Sequence, residues 1–248
     1  MIKDQTIVVC LPAYNAAKTL RLTFNEIPRP LVDEIILVDD ASNDETVSMA
    51  YELGIRHVIR HTENKGYGAN QKTCYKKALE LGADIIIMLH PDYQYNPALI
   101  PSLAALISEK VYPVVLGSRI LGNGALKQGM PLYKYISNRA LTFIQNVLLT
   151  RKLSEYHTGY RAYSREIFSR IQSDRFSDDY LFDNQFLCAV IYAGYEVGEI
   201  SCPAHYFPEA SSITFSRSVK YGFGVLYMSI LYRLNKWNIC RSAIFHNK

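Results

Sequence analysis

Three side chains that could bind a metal ion or a phosphate group follow one apolar run of the sequence. The run is Ile85–Met88, and the side chains are those of His90, Asp92 and Gln94. Mg²⁺ and Mn²⁺ prefer oxygen ligands such as carboxylates and amides, and an imidazole can also coordinate Mn²⁺. A buried strand ending in this loop would place all three at the carboxyl edge of a sheet, where open α/β folds bind ligands. The loop therefore predicts a metal or phosphate site.

Acidic and glycine-containing loops follow other parts of the chain. Asp39 and Asp40 come directly after the second apolar run, and adjacent carboxylates repel unless a cation or a donor lies between them. Lys65 and Gly66 belong to a segment that would let backbone approach a ligand and then open a helix. Asp44 is more simply interpreted as the N-cap of the next helix. Asp39, Asp40, Lys65 and Gly66 are therefore candidates for the same site as His90, Asp92 and Gln94.

The elements that must position these loops alternate between strands and helices over the first 118 residues. Apolar runs separated by helical patterns indicate βαβ units and a mainly parallel sheet, with all strand-end loops on one edge. The predicted strands are residues 6–11, 34–38, 56–60, 84–89 and 114–116, and the predicted helices are residues 16–26, 44–53 and 68–81. We expect the loops to converge in space; they are residues 12–15, 39–44, 64–68 and 90–94.

The second part of the chain is less regular. Apolar residues recur at helical spacing over residues 136–148, a further helix is predicted over 183–193, and a strand over 197–202. There are no internal repeats and no low-complexity linker. The sequence therefore predicts an α/β fold, with a mainly parallel sheet flanked by helices. We expect a single domain over residues 1–215 and a basic, amphipathic helical extension over residues 216–248.

Positive charge is concentrated in the later part of the chain. The chain has 248 residues, 49% of them hydrophobic, which is enough to bury one large core. Its net charge is only +4, but residues 119–170 contain nine Lys or Arg against two acids, and residues 211–248 contain six against none. This asymmetry favours an anionic partner, although a solvated basic face has the same composition. No nucleic-acid-binding motif accompanies these segments, so we expect no nucleic acid.

The cysteines and the hydropathy pattern bear on localisation. Five scattered cysteines show neither metal-ligand spacing nor a disulfide framework, which is typical of a reducing cytoplasm. The N-terminus has no signal-peptide pattern, and no stretch approaches the ~20 apolar residues that span a bilayer. We therefore expect a cytoplasmic protein, with peripheral attachment to the cytoplasmic face of the membrane as an open alternative.

Five motifs, taken in their order, resemble those of family-2 glycosyltransferases with the Rossmann-like GT-A fold. They are residues 11–15, 38–46, 64–70, 90–94 and 117–119. Residues 138–139 and 155–161 further resemble the polyprenyl-phosphate branch, which includes dolichyl-phosphate mannose synthase-like enzymes. The resemblance covers about residues 5–215 and implies an inverting transfer of a sugar from a nucleotide-sugar donor to an acceptor. It divides the domain into a nucleotide-binding half, residues 1–118, and an acceptor-side half, residues 119–215.

The resemblance also implies roles for individual residues. The nucleotide-sugar would be bound by Pro12, Tyr14, Asn15, Asp39, Asp40, Lys65, Gly66, Asp92 and Arg119. Mg²⁺ or Mn²⁺ on the diphosphate would be held by Asp92, Gln94 and His90, and the catalytic residues would be Asp92, Arg119 and Asp183. His90 departs from the family, which usually has an aspartate at this position. It could coordinate the metal, donate to a phosphate, or only pack.

Two acceptors remain open. A polyprenyl phosphate is favoured by residues 158–161, and such an enzyme would meet a membrane surface or a membrane-protein partner. Its phosphate would be bound by Arg139, Thr158, Gly159, Arg161 and Ser212. A saccharide hydroxyl would need Asp183 as a base, and it would suit Glu209, which replaces a basic residue of the branch. Glu155 either supports a loop or contacts the substrate. A nucleotide-sugar-binding protein without activity is a further alternative.

Overall fold

A central sheet of seven strands organises the part of the chain that the computed structural model describes, residues 2, 4–122, 124–206 and 215–246. The strands are β1 (Ile7–Ala13), β2 (Glu34–Asp39), β3 (His57–Arg60), β4 (Ile85–Met88), β5 (Val114–Ser118), β6 (Arg161–Ser164) and β7 (Val197–Ser201). Their order is β3-β2-β1-β4-β6-β5-β7. Only β6 runs antiparallel to its neighbours β4 and β5 among these strands, so the prediction of a mainly parallel sheet is confirmed.

Helices cover both faces of the sheet. They are α1 (Ala17–Asn25), α2 (Thr46–Glu52), α3 (Tyr67–Glu80), α4 (Ile100–Ser108), α5 (Leu132–Leu149), α6 (Arg165–Arg170), α7 (Phe182–Tyr192) and α8 (Phe215–Lys236). Successive residues of β1 point to opposite faces, as in any strand. Val8 and Cys10 pack with α3 and α7, whereas Val9 and Leu11 pack with α1 and α4. The sheet is therefore buried on both sides, which explains why its strands are continuous apolar runs.

The structure contains three strands or α-helices that the sequence analysis did not predict: α4, β6, and α6, a helix of six residues directly after β6. The first is α4, which follows a short 3-10 turn at Pro97–Leu99, where the Asn96 side chain accepts from the Ala98 N–H at 2.9 Å. The second is β6, a strand of four residues whose first three are fully buried. A short strand buried on both faces has no alternation of polar and apolar residues, and a sequence pattern therefore does not reveal it.

The C-terminal helix α8 lies against the rest of the structure rather than apart from it. It contacts α5 and α7, and a Cβ added at Gly224 would lie 2.9 Å from the side chain of Leu181, just before α7. Among the described helices, none is both long enough and apolar enough to cross a membrane. The division of the chain at residue 215 stays a prediction.

Candidate active site

The predicted convergence of the strand-end loops is confirmed. The Asn15 N–H donates to Ser42 Oγ at 2.8 Å, and the Asn43 N–H donates to Asn15 Oδ1 at 3.0 Å. Thr19 Oγ1 donates to the carbonyl of Pro91 at 2.6 Å. The first two bonds join the loops after β1 and β2, and the third joins the first turn of α1 to the loop after β4, because parallel strands end at the same edge of the sheet. A site is therefore assembled from loops that lie far apart in the sequence.

Asp39 is the last residue of β2, and one of its two carboxylate oxygens has no hydrogen-bond partner among the described residues. Its side chain is fully buried, Oδ2 accepts from the Ser42 N–H at 3.0 Å, and the Nε of Arg60 lies 3.5 Å from Oδ2. Oδ1 is buried and has no hydrogen-bond partner among the described residues. An unpaired buried acceptor is costly, and a donor on a ligand would relieve it. Close by in the sequence, Pro12 is buried and Tyr14 is 50% exposed.

Asp40 holds a loop. Its Oδ1 lies 2.7 Å from His61 Nδ1 and accepts from the Lys65 N–H at 2.9 Å, and its Oδ2 accepts from the Gly66 N–H at 2.9 Å. Both oxygens therefore accept hydrogen bonds within the protein, and the nucleotide contact implied by the resemblance stays a prediction. The Lys65 side chain is exposed. Gly66 has φ of 98°, and a Cβ there would lie 2.5 Å from the carbonyl oxygen of Asp178, so only glycine fits.

The carboxylate of Asp92 lines a cavity together with His90 and Gln94. Its Oδ1 accepts from the Gln94 N–H at 3.0 Å, and burial raises the pKa of its carboxyl. The side chain of Gln94 is buried beside it and lines the same cavity. Within the described residues there is no group of three or more His, Cys, Asp or Glu arranged to hold a metal ion. These residues fit a Mg²⁺ or Mn²⁺ ion that takes the rest of its ligands from substrate phosphates and water.

His90 is connected to Asp183 through Tyr67. The hydroxyl of Tyr67 lies 3.0 Å from His90 Nε2 and donates to Asp183 Oδ2 at 2.6 Å. Burial, followed by the charge of Asp183, raises the pKa of Tyr67 well above its usual value, and burial lowers the pKa of His90. The other oxygen of Asp183 accepts from Gln71 Nε2 at 3.1 Å, and the Nε of Arg161 lies 3.9 Å from that oxygen. The sequence analysis did not single out Tyr67, although it lies in the glycine-containing motif.

Arg119 is held by Glu155. Its backbone N–H donates to Glu155 Oε2 at 2.8 Å, its Nε donates to Oε1 at 3.0 Å, and Nη2 also contacts Oε1. Asn138 Nδ2 donates to the same carboxylate at 2.8 Å. Burial alone would raise the pKa of Glu155, but the charge and hydrogen bonds of Arg119 outweigh it and lower that pKa. Glu155 therefore holds Arg119 in place, a role that the two alternatives from the sequence did not include.

Most of the residues predicted to bind the acceptor do not line the cavity. Thr158 Oγ1 donates to the carbonyl of Gly117 at 2.7 Å. Arg161 is fully buried and donates to three backbone carbonyls, and Arg139 is exposed and donates to the carbonyl of Ser154 at 2.8 Å. Gly159 does line the cavity. Two further positions, Ser212 and Glu209, lie outside the described residues. Arg139, Thr158 and Arg161 each donate to backbone carbonyls, so matching a motif did not reveal which side chains line the cavity.

One cavity of about 560 Å³ joins the polar site to apolar helix surfaces. Its polar end contains His90, Asp92, Gln94, Arg119 and Asp183. Its other walls come from α5 and α8 and include Leu141, Val219, Phe223 and Leu226. Lys134 of α5 also lines it, and burial and then the charge of Arg119 lower the pKa of its ammonium group. The sequence analysis missed Lys134 as a site residue, although its basic segment had been noted.

Comparison with known proteins agrees with this geometry. The family model described as glycosyl transferase family 2 matches residues 8–172, more than half of the chain. An uncharacterized protein of Methanocaldococcus jannaschii is 30% identical over 232 residues, covering 94% of this chain and 93% of its own. The UDP-N-acetylglucosamine–dolichyl-phosphate N-acetylglucosaminyltransferase of Methanococcus voltae is 28% identical over 249 residues, covering 94% and 98%.

The fold has a solved counterpart in the glucosyl-3-phosphoglycerate synthase of Mycobacterium tuberculosis, crystallised with uridine diphosphate. The TM-score is 0.72 at 18% sequence identity, and the match covers 93% of this chain and 80% of that one. At this identity the likeness establishes the GT-A fold. Together with the family match over residues 8–172, it shows that this chain belongs to glycosyl transferase family 2 and is a glycosyltransferase.

Proposed function

We propose that this enzyme transfers a sugar from a nucleotide-sugar to a polyprenyl phosphate, with inversion at the anomeric carbon. The observation that carries the proposal is the single cavity that is polar at the strand ends and apolar between α5 and α8. A lipid phosphate has the same two parts, an anionic head and an apolar chain. The Methanococcus relative, whose name includes dolichyl phosphate, supports the same class of acceptor.

The donor nucleotide would occupy the loops after β1 and β2. The unpaired Oδ1 of Asp39 is an acceptor-only atom that would receive an N–H of the base. The half-exposed ring of Tyr14 and the backbone around Pro12 and Asn15 would line the nucleoside. Asp40 would act indirectly, by holding the backbone of Lys65 and Gly66 in place.

Asp92, aided by Gln94 and His90, would hold Mg²⁺ or Mn²⁺ against the donor diphosphate. When bound, such an ion neutralises negative charge on the leaving diphosphate. The mycobacterial synthase, which has a related fold, has been crystallised with Mn²⁺ or Mg²⁺ together with uridine diphosphate. These crystal structures support the assignment of a divalent ion to this site. The guanidinium of Arg119, fixed by Glu155, would add positive charge at the same end of the cavity.

The acceptor phosphate would enter beside Lys134 and Arg119. Its oxygen attacks the anomeric carbon, the bond from that carbon to the diphosphate oxygen breaks, and the nucleoside diphosphate departs. A phosphate is already anionic and needs no base. A sugar hydroxyl would require one, yet both oxygens of Asp183 already accept hydrogen bonds from Tyr67 and Gln71. This arrangement favours the phosphate over the hydroxyl as acceptor.

We further propose that the enzyme is peripheral on the cytoplasmic face of the membrane, through an apolar face on α5 and α8. Large exposed side chains recur at helical spacing on both helices: Leu132, Ile136, Phe143 and Val147 on α5, and Val219, Phe223, Tyr227 and Ile230 on α8. Basic residues of the same helices include Arg139, Arg217, Lys220 and Arg233. Apolar side chains flanked by basic ones suit the interface of an anionic bilayer.

Vesicle co-sedimentation tests the membrane proposal. Phe143→Asp should weaken binding to anionic vesicles several-fold, because the side chain is 69% exposed and the charge would oppose insertion. Tyr51→Asp on α2 is a matched control, since Tyr51 is 62% exposed on a different helix. Equal binding of both variants and the wild type would refute the assignment of this face.

A ligand panel followed by a product assay tests the transferase proposal. Nucleotide-sugars with different bases should be compared by thermal shift with Mn²⁺ or Mg²⁺, and the best donor should then be incubated with a polyprenyl phosphate or an oligosaccharide. We expect a lipid-linked sugar as product. Asp92→Ala should abolish the metal-dependent part of donor binding, whereas His90→Asp should keep it, because a carboxylate suits the ion. A fully active Asp92→Ala enzyme, or transfer only to the oligosaccharide, would overturn the proposal.

A further inference from the structure

Tyr67 forms a bridge between two groups of the site that are far apart in the sequence. Its hydroxyl oxygen lies 2.6 Å from Asp183 Oδ2 and 3.0 Å from His90 Nε2. The Tyr67 and His90 rings are parallel, with an interplanar angle of 1° and centroids 5.4 Å apart. The sequence left three roles open for His90, and this bridge bears directly on which nitrogen of its ring could bind a cation.

The direction of each hydrogen bond in the bridge follows from the number of protons available. The Tyr75 hydroxyl donates to Gln71 Oε1 at 2.9 Å, which turns the Gln71 amide NH₂ toward Asp183 at 3.1 Å. Asp183 therefore receives donors on both oxygens and acts as an acceptor. Tyr67 has one hydroxyl proton, and at 2.6 Å it is given to Asp183. The 3.0 Å contact can then be a hydrogen bond only if the ring nitrogen of His90 is the donor.

The orientation of the His90 ring is fixed from the other side by Gly159. A Cβ added at Gly159 would lie 2.5 Å from His90 Nε2 and 2.7 Å from its Cδ2, so this edge of the ring faces the glycine. Nδ1 lies on the opposite edge of an imidazole ring, and it makes no hydrogen bond to any described residue. In a neutral ring with its proton on Nε2, Nδ1 carries a lone pair.

We propose that Tyr67 is a positioning residue that holds His90 in the tautomer protonated on Nε2, so that Nδ1 is a ligand for the divalent cation. This inference rests on the proposed function, since it assumes that a cation binds beside Asp92. It also decides among the three roles left open for His90. A lone pair on Nδ1 can coordinate an ion but cannot donate to a phosphate, and a ring held by two contacts is more than packing.

The metal-free protein allows the first test, because the tautomer can be measured without any ligand. Long-range ¹H–¹⁵N correlation spectra of protein labelled on histidine report which ring nitrogen is protonated, and the His90→Asp variant identifies the signals by their loss. We expect the proton on Nε2 in the wild type and in Tyr180→Phe. Tyr180 stacks on Tyr67 at 5.0 Å, and its hydroxyl makes no hydrogen bond within the described part of the chain, so this variant is a matched control. A proton on Nδ1 in the wild type would overturn the inference.

The second test measures the cation directly. Electron spin-echo modulation of Mn²⁺ bound with a nucleoside diphosphate detects a coordinated histidine nitrogen. We expect this nitrogen signal in the wild type and its loss in Tyr67→Phe, together with a roughly 10-fold weaker Mn²⁺ affinity, the usual effect of losing an outer partner of a metal ligand. Tyr67→Phe with an unchanged nitrogen signal and affinity would refute the role of Tyr67.

A double variant separates positioning from a general loss of structure. A carboxylate at position 90 needs no tautomer, so Tyr67→Phe combined with His90→Asp should recover the Mn²⁺ affinity of His90→Asp alone. Failure to recover it would mean that Tyr67 acts otherwise than through His90. Wild-type protein that binds neither Mn²⁺ nor any nucleotide would instead contradict the proposed function, and the tautomer measurement would still stand by itself. Nucleotide and Mn²⁺ binding without a nitrogen signal would overturn this inference alone.

Discussion

Acidification should destabilise this protein through His157, which lies in the segment before β6 and faces α8 across the cavity. Its Nδ1 lies 2.9 Å from the hydroxyl of Tyr221 on α8, and its Nε2 is buried without a hydrogen-bond partner among the described residues. Burial lowers the pKa of His157 from 6.5 to about 4. The charge of Glu155 opposes this shift, whereas the charges of Arg119 and Arg161 add to it.

The sign and size of the effect follow from proton linkage. Between pH 6.5 and about 4, the unfolded chain takes up a proton at position 157 that the folded chain excludes. The free energy of unfolding therefore falls as the pH falls through this window, by up to about 1.4 kcal/mol per pH unit. Below pH 4 both states carry the proton and the loss is complete. The total contribution of this one side chain is about 3 kcal/mol.

Urea unfolding of the wild type and His157→Asn, from about pH 7.5 down to about pH 4, measures this contribution. The difference in unfolding free energy between the two proteins should shift by about 3 kcal/mol in favour of the variant as the pH falls. Tyr221→Phe is the matched control: it removes the hydrogen bond to Nδ1, at a cost of about 1 kcal/mol, but leaves the ring enclosed. It should therefore retain the pH dependence of the wild type.

A difference between the wild type and His157→Asn that stays constant over this range would refute the reasoning. It would mean that the ring takes up its proton equally well in the folded and unfolded states. Loss of the pH dependence in Tyr221→Phe would show instead that the hydrogen bond, rather than burial, is the cause.

Two further substitutions test the supports of the site. Glu155→Gln should cost about 3 kcal/mol in urea unfolding, because Arg119 would remain buried without its carboxylate partner, whereas Glu196→Gln, which breaks an exposed ion pair, should cost less than about 1 kcal/mol. Equal losses of unfolding free energy in Glu155→Gln and Glu196→Gln would contradict the burial of the Arg119–Glu155 pair. Gly159→Ala should weaken Mn²⁺ binding with a nucleoside diphosphate, measured by calorimetry, because its Cβ would lie 2.5 Å from His90 Nε2 and displace the ring. An unchanged affinity would show that the ring can move without consequence.

Much of the fold could be predicted from the sequence because it depends on local patterns. The apolar runs that became β1, β2 and β4 are bounded by polar or turn residues, and each lies within about two residues of its predicted ends. The order of strands and helices implies a parallel sheet, and a parallel sheet collects its strand-end loops on one edge. The placement of Asp39 and Asp92 at one edge of the sheet, where we propose the site, therefore followed from the order of the chain.

The tertiary structure alone decided which side chains line the candidate site and which hold others in place. Arg161 and Thr158 lie in a motif of the acceptor side, yet both bond to backbone carbonyls inside the fold. Glu155 could be assigned to Arg119 only once both were seen buried together, and Tyr67 only once α3 and α7 brought its hydroxyl to Asp183. Sequence patterns report which residues are apolar and where the chain turns. The partner of a buried polar group is set by packing between elements that are distant in the chain, and no local pattern records it.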